Sequence, residues 1–253
     1  IAAVVGFVVV ELRRAHPLPD VRLFRNEGLT TGSVNLFVAF ALMFAIFLIL
    51  VQFLQAVLGY TALHAATGLL PMAVMMMPLS TIAPTIAERM GFRRTLVMGM
   101  LLLAGGLVLF AALADPTGGY MSVFPAILVL GAGVGLAMSP STAAITSSLP
   151  EEKQGVASAL NDTVREMGGA VGIALIGSVL NSAYRSNIEP TVASLPPEVA
   201  EPVTSGIGGA LAVAGKMGTG GAALVDASRQ AFVDGMAPAL YLGAGLALAA
   251  AVF

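Results

Sequence analysis

Long apolar runs, separated by polar connections, constrain this chain more than any other feature of its sequence. Six of the runs reach the length of about 20 residues at which an α-helix crosses the hydrocarbon core of a bilayer. They are residues 34–58, 66–87, 95–114, 121–145, 164–184 and 230–253. A shorter run at residues 1–10 is interpreted as the end of a truncated transmembrane helix. Because only 10% of the residues are charged, against about 25% in soluble domains, the sequence predicts an all-α integral membrane protein.

Positive charge alternates between the connections that join these runs. Connections 11–33, 88–94 and 146–163 hold eight arginines and lysines, namely Arg13, Arg14, Arg22, Arg25, Arg89, Arg93, Arg94 and Lys153. The alternate connections, 59–65, 115–120 and 185–229, hold Arg185, Lys216 and Arg229. Since loops rich in lysine and arginine stay in the cytoplasm, we expect the first set to be cytoplasmic. The long loop 185–229 is then expected to lie outside the cell membrane.

The long loop contains one further apolar stretch, residues 207–215. This stretch is about nine residues long, which is too short to span a bilayer. We therefore expect a surface helix there, preceded by irregular chain at residues 194–202, where prolines are frequent.

Composition also excludes several classes of function. The chain has no cysteine, and His16 and His64 are far apart in the sequence. Disulfides, cysteine nucleophiles, thiolate metal sites and histidine metal clusters are thereby excluded. The net charge of −2 is too small to indicate a nucleic-acid partner. Since no nucleophile–base pair is evident either, the sequence predicts neither an enzyme nor a protein that needs a metal or an organic cofactor.

Two glutamines interrupt the first complete run. Gln52 and Gln55 are three residues apart, on one face of the predicted helix 34–58. An amide that faced lipid would be costly, so these side chains must face the bundle or a wet cavity. Two interpretations remain open, an interhelical hydrogen bond worth about 0.6–2 kcal/mol and the lining of a substrate cavity.

Charged residues near membrane depth are candidates for function. Asp162, Arg165 and Glu166 lie at the entry to the run 164–184, close enough in sequence for local ion pairs. Their interfacial position favours a gating or interhelical role over a central proton site. Asp234 lies about one turn into the last run and is either an interfacial acid or an outer-gate or protonation residue.

Small residues and prolines recur inside the runs. Gly131 with Gly135, and Gly168 with Gly172, have the spacing that lets two membrane helices pack closely. The prolines within the run 66–87 are Pro71, Pro78 and Pro84. Such prolines indicate either kinks that pack in protein or a helix that lines a cavity.

The polar stretch PTIAERMGFRR at 84–94 resembles the cytoplasmic signature of the major facilitator superfamily. In that signature an acid and a basic residue precede a glycine and a pair of basic residues. Glu88, Arg89, Gly91, Arg93 and Arg94 occupy these positions. The first glycine of the signature is replaced here by proline and its aspartate by glutamate, a degeneration that resembles the copy in the second half of these transporters.

Three further stretches resemble the fourteen-helix drug:proton antiporters (the EmrB/QacA family) within that superfamily. They are FLQAVLGYTALHAATGLLP at 53–71, GVASALNDTVREMGGAVGIALIGSV at 155–179, and PLPDVRLFRN at 17–26, which resembles the linker before the second bundle. The resemblance implies that 34–253 is the C-terminal six-helix bundle, that 11–33 is a cytoplasmic linker, and that 1–10 ends a preceding helix.

The same resemblance implies a function. It predicts proton-coupled export of drugs or other amphipathic small molecules by alternating access, driven by a proton gradient without a cofactor. The expected partners are the lipid bilayer, the N-terminal bundle of the same polypeptide and a small-molecule substrate. Two alternatives remain: a facilitator-type transporter of another small solute, and a membrane subunit that does not transport.

Overall fold

The computed structural model describes residues 21–193 and 195–253. The predicted partial span 1–10 and residues 11–20 of the predicted linker lie outside the described residues. Within them, eight α-helices follow one another: α1 Glu27–Gln52, α2 Ala62–Met90, α3 Phe92–Leu113, α4 Gly119–Ser147, α5 Gln154–Val192, α6 Pro197–Ser205, α7 Ile207–Lys216 and α8 Ala222–Val252. Six of these, α1 to α5 and α8, are long and apolar enough to cross a membrane. The predicted all-α membrane class is confirmed.

The helices extend beyond the apolar runs that predicted them. α1 begins within the predicted linker 11–33, α5 extends well past both ends of 164–184, and α8 begins within the predicted loop 185–229. Hydropathy marks the part of a helix that meets hydrocarbon, whereas backbone hydrogen bonding continues through polar residues until a cap ends it. At the start of α1 the cap is Asn26, whose side-chain oxygen accepts a hydrogen bond from the N–H of Leu29 (3.2 Å).

The loop between α5 and α8 contains two short helices. The prediction of irregular chain over 194–202 was wrong, because residues from Pro197 onward form α6. A proline at the first helical position lacks only an N–H that would have no helical partner there, so it suits a helix start. The apolar stretch at 207–215 lies in α7, as expected of a surface helix.

α1 and α4 lie at the centre of the bundle. α1 packs against α4, α5 and α8, while α4 packs against α1, α2 and α3. Just after the end of α1, the aromatic ring of Phe53 meets that of Phe110 on α3 edge to face, with the ring centroids 5.9 Å apart. Two of the four spans that surround this centre, α3 and α8, pack against each other and close the bundle on one side.

Glycines allow α4 to be enclosed on two sides. A Cβ added to Gly131 would collide with the carbonyl oxygen of Met72 on α2, and one added to Gly135 would lie 2.6 Å from that of Met76. Gly133, on the opposite face, would place a Cβ 2.6 Å from the backbone nitrogen of Leu103 on α3. Because a backbone atom cannot move aside as a flexible side chain can, these positions require glycine.

Glycines also allow the backbones of α1 and α5 to approach each other closely. A Cβ on Gly168 would lie 2.5 Å from the carbonyl oxygen of Phe37, and one on Gly172 would collide with the backbone of Ala41. Both glycine pairs therefore mark a close approach between two spans, one in the pair α2–α4 and one in the pair α1–α5.

α2 and α5 are the spans least covered by the rest of the described chain. Only 11% of the most apolar stretch of α2 is buried, and 33% of that of the span containing α5. Leu63, Leu70, Val74 and Met77 are all exposed on α2, at a spacing that places them on one helical face. The bundle therefore presents an apolar side that none of its described helices covers.

Candidate functional site

The connection between α2 and α3 is a single residue rather than a loop over 88–94. α2 ends at Met90, Gly91 turns the chain, and α3 begins at Phe92. Gly91 has a φ of +93°, a conformation that favours glycine because it brings any Cβ too close to the backbone. Its carbonyl oxygen accepts hydrogen bonds from the N–H (3.3 Å) and the hydroxyl (3.1 Å) of Thr95, which fixes the start of α3.

The charged residues of the predicted gating motif all belong to helices and are exposed where α2 meets α3. This region is called the charged corner below. Glu88 and Arg89 lie in the last turn of α2, and Arg93 and Arg94 lie in the first turn of α3. A helix favours cations at its C-terminus and anions at its N-terminus, by about 0.3–1 kcal/mol each. Of the four, Arg89 alone obeys this preference. The other three charges do not stabilise their own helices.

Arg165 connects three helices near the same end of the bundle. Its Nη2 donates a hydrogen bond to the hydroxyl of Thr142 on α4 (3.2 Å), and its guanidinium lies 5.0 Å from the ring centre of Phe40 on α1. These partners are a hydroxyl and an aromatic ring, whereas the sequence suggested ion pairs with Asp162 and Glu166. The sequence could not identify them, because Thr142 and Phe40 are distant in the chain.

A cavity of about 190 Å³ brings this cluster together. It is lined by Asp162, Arg165, Glu166, Phe40 and Phe44. Both acids are exposed, while the Nε of Arg165 is buried without a hydrogen-bond partner. The guanidinium has five N–H donors, of which one binds Thr142, so donors remain for an acceptor that enters this cavity.

Gln52 lies in a second cavity, at the opposite end of α1. This cavity, of about 210 Å³, is bounded by Asn181 and Tyr184 of α5 and is covered by the junction of α6 and α7. The hydroxyl of Tyr184 donates a hydrogen bond to the carbonyl oxygen of Val203 on α6 (3.1 Å), which holds the cover in place.

Gln55 does not share this environment. A π-helical turn, Phe53–Val57, follows Gln52, and its i→i+5 bonding adds a residue to the turn. The rotation leaves Gln55 exposed while Gln52 is half-buried. The expectation that both amides share one helical face was therefore wrong, because it assumed an uninterrupted α-helix.

Arg229 binds the π-helical turn Phe53–Val57 that follows α1, a role that the sequence did not indicate. Its Nε donates a hydrogen bond to the carbonyl oxygen of Ala56 (3.2 Å). The end of a helix leaves carbonyl oxygens without partners, and a cation is favourable there. Charge counting placed Arg229 in the outer loop, whereas it belongs to α8 and links that helix to this turn.

Asp234 is exposed on α8 and accepts a hydrogen bond from the side chain of Gln230, one turn earlier (2.9 Å). Its neighbours Val233 and Gly235 are buried. The carboxylate therefore lies on the outer face of the bundle, apart from the cluster around Arg165. Among the described residues, no group of three or more acids or histidines could hold a metal ion.

Comparison with known proteins identifies the architecture. Residues 2–173 match the family model described as Major Facilitator Superfamily. Over 97% of its length the chain is 32% identical to the multidrug efflux pump LfrA of Mycolicibacterium smegmatis, covering 48% of that protein.

Two further relatives are named for resistance or export. The chain is 29% identical, over 97% of its length, to the methyl viologen resistance protein SmvA of Salmonella typhimurium, covering 50% of it. It is 32% identical, over 99% of its length, to the tetracenomycin C resistance and export protein of Streptomyces glaucescens, covering 48% of it. The chain thus spans about half the length of the curated relatives it matches. The family model and these relatives confirm the resemblance seen in the motifs: the chain belongs to the major facilitator superfamily.

Proposed function

We propose that this chain is part of a secondary active transporter that exports drugs or other amphipathic small molecules in exchange for protons. The observation that carries the proposal is similarity over nearly the whole chain to a protein named as a multidrug efflux pump. Other relatives named for resistance and export support it. Because the chain spans about half of those proteins, the activity is proposed for the whole gene product, to which this chain contributes six spans.

The uncovered apolar side supports transport by alternating access. α2 and α5 present exposed apolar faces next to the charged corner and the Arg165 cavity. A second bundle of the same polypeptide packed on this side would enclose a central cavity between the two units, and rocking of one against the other would expose that cavity alternately. Methionines on α2, such as Met76 and Met77, would suit varied substrates, since their side chains adapt to different shapes.

The charged corner would act as a latch on the cytoplasmic side. Positive charge concentrates at this end of the spans, which favours a cytoplasmic location. Glu88, Arg89, Arg93 and Arg94 are exposed and would pair with helix ends of the second bundle when that side is closed. Each exposed pair contributes about 0–1 kcal/mol, which suits a contact that must form and break in every cycle.

Arg165 would act as an internal gate, also on the cytoplasmic side. The guanidinium is already held by Thr142 and Phe40, so its remaining donors are held in position. An acceptor from the second bundle or from a substrate would complete its hydrogen bonds. Gln52, in the cavity covered by α6 and α7, would contribute a polar contact on the outer side. Gln55, exposed beyond the π-helical turn, is the weaker candidate for such a contact.

Dye efflux from cells that express the whole gene product tests the proposal. We expect several structurally different cationic dyes to be expelled, and expulsion to stop when a proton uncoupler is added. Efflux that continues with the uncoupler would exclude proton coupling. Import of a polar solute without dye export would favour a facilitator of another kind, and no transport at all would favour a non-transporting subunit.

The acids near membrane depth can be tested in the same assay. Asp162→Asn, Glu166→Gln and Asp234→Asn each remove one negative charge at nearly constant size. If a residue carries protons, efflux by its variant should lose its dependence on pH. Unchanged pH dependence in all three variants would place proton coupling outside this chain.

The gate has its own matched pair of variants. Arg165→Lys keeps the charge but loses the planar fork that contacts both Thr142 and Phe40, so we expect a marked loss of efflux. Arg185→Lys makes the same change at an exposed site on the other end of α5. Equal efflux by the two variants would contradict the role given to Arg165.

A further inference from the structure

A cavity of about 460 Å³ lies where the start of α1, the start of α3 and the end of α8 meet. It is separate from the Arg165 cavity and from the outer cavity around Gln52. Its polar part is formed by Arg25, Glu27 and Arg93, and its apolar part by Leu96 and Val97 together with the last turn of α8. A cavity with a charged end and an apolar wall fits an amphipathic ligand.

The charges around this cavity favour an anion. Arg25 and Arg93 outweigh Glu27, which leaves one net positive charge among the lining side chains. The N-terminal residues of α1 and α3 also line it, and each helix N-terminus is equivalent to about +0.5 of a charge. The balance is positive, which suits an anion such as a phosphodiester.

A buried amide indicates what the ligand must donate. Asn35 is only 2% exposed and lines the cavity. Its Nδ2 donates a hydrogen bond to the carbonyl oxygen of Thr31 (3.0 Å), whereas its Oδ1 has no partner. Buried acceptors are nearly always satisfied, so a ligand in this cavity should carry a hydroxyl or another donor that reaches Asn35.

The position of the cavity distinguishes a lipid from a soluble anion. It lies at the ends of three membrane-spanning helices, where lipid headgroups would be found. Beyond its apolar wall, Leu101 on α3 and Leu248 on α8 are exposed and would continue an apolar path for an acyl chain.

We propose that this cavity binds an anionic glycerophospholipid with a hydroxylated headgroup, its phosphate at Arg25 and Arg93 and its hydroxyl at Asn35. Phosphatidylglycerol has this chemistry, whereas phosphatidylcholine has the same phosphate but no donor and no net charge. The site is proposed as a binding site in its own right, so its test measures lipid binding and does not depend on efflux.

Native mass spectrometry of the whole gene product, delipidated and then titrated with defined lipids, tests the proposal. We expect at least one phosphatidylglycerol to bind about tenfold more tightly than phosphatidylcholine. The double variant Arg25→Gln, Arg93→Gln should abolish that preference. Arg94→Gln, which alters the neighbouring residue of α3 outside the cavity lining, should retain it.

Two further arms test the headgroup contact and the need for a membrane anchor. Asn35→Leu should keep the preference for anionic lipids but lose the distinction between phosphatidylglycerol and a phosphatidic acid methyl ester, which lacks the hydroxyl. Soluble glycerophosphoglycerol should compete at least 100-fold more weakly than the lipid. Equal binding of phosphatidylglycerol and phosphatidylcholine, equal effects of the changes at Arg93 and Arg94, or full competition by the soluble headgroup would overturn the proposal.

Discussion

α2 and α4 have the same length, 29 residues, and both are apolar enough to span a membrane, yet they occupy opposite environments. In α4, 61% of the most apolar stretch is buried by other helices, and in α2 only 11%. Both helices contain prolines, but α4 carries glycines on two faces, whereas α2 carries a row of exposed apolar side chains. In a membrane, hydropathy therefore identifies a span, and small residues identify the faces at which spans pack closely.

The physical reason is that lipid tails are as apolar as leucine, so apolar character alone does not drive two helices together. Helix association therefore depends on close packing, which requires the two helix backbones to approach each other. At Gly131 and Gly135, α4 meets the backbone of α2 directly. α2 has one face committed to this contact, and its other face is available to lipid or to a second bundle.

The largest expected effect tests the enclosed side of this comparison. Gly131→Leu would drive a side chain into the backbone of Met72, which cannot move aside, so we expect a loss of about 3 kcal/mol, the upper part of the range for overpacking. Thermal unfolding in detergent, followed by size-exclusion chromatography, measures it. Gly105→Leu on α3 is the control, since nothing lies within 4 Å of its added Cβ. Equal unfolding temperatures would contradict the glycine argument.

A smaller effect should separate the two faces of α2 itself. Met72 is 2% exposed and Met77 is 66% exposed. Met72→Ala removes packing at the contact with α4, and we expect a loss of about 2 kcal/mol, the lower end of the range for such truncations. Met77→Ala should leave thermal unfolding unchanged, while a change in efflux by this variant would indicate that the face meets the second bundle. If Met77→Ala destabilises as much as Met72→Ala, α2 is not an edge helix.

The corner at which α2 ends is expected to be sensitive to a single methyl group. Gly91→Ala forces a Cβ into a backbone conformation that is essentially confined to glycine (φ +93°, ψ +143°), at a cost of about 1–3 kcal/mol. Gly155→Ala, at the start of α5, has open space around it and no positive φ. Comparison of the two unfolding temperatures isolates the backbone effect, and similar values would show that the corner can relax.

The smallest effect concerns the turn at residues 115–118, which precedes α4. The hydroxyl and the N–H of Thr117, and then the N–H of Gly118, donate to the carboxylate of Asp115, and these hydrogen bonds hold its pKa below the ordinary value of 3.8. A lowered pKa stabilises the fold above the ordinary pKa, and this stabilisation is lost as the pH falls through the lowered pKa. Asp115→Ala should therefore unfold at a slightly lower temperature than the native protein at pH 7, with the difference shrinking below pH 3.8. A constant difference would show that the charge is not involved.

Much of this architecture could be predicted from the sequence, because a bilayer imposes a minimum length on every span. The six runs and the family resemblance follow from that constraint and from the spacing of Glu88, Gly91 and the arginines. Helix ends could not be predicted in the same way. The extension of α5 to Val192 and the one-residue corner at Gly91 depend on backbone hydrogen bonds and caps, which hydropathy does not report.

The environments of individual polar side chains were harder still to predict. The π-helical turn after Gln52 inserts a single residue into a turn, which changes the direction of Gln55 without any change in composition. The contacts of Arg165 with Thr142 and Phe40, and of Arg229 with the π-helical turn after α1, join residues from different helices. Such pairings depend on which helices become neighbours, and local spacing carries no information on that point.

The uncovered face of α2 has a consequence for oxidative damage. The chain has no cysteine, so its methionines are the sulfur atoms that an oxidant can reach. Met77 and Met90 are exposed on α2, whereas Met72 is sheltered against α4. Oxidation to the sulfoxide turns a flexible apolar side chain into a polar one, so peroxide should alter the surface of α2 before it reaches the packed interior. The helix best suited to contact varied molecules therefore has a surface that an oxidant would change, as would the exposed Met121 on α4 and Met167 on α5.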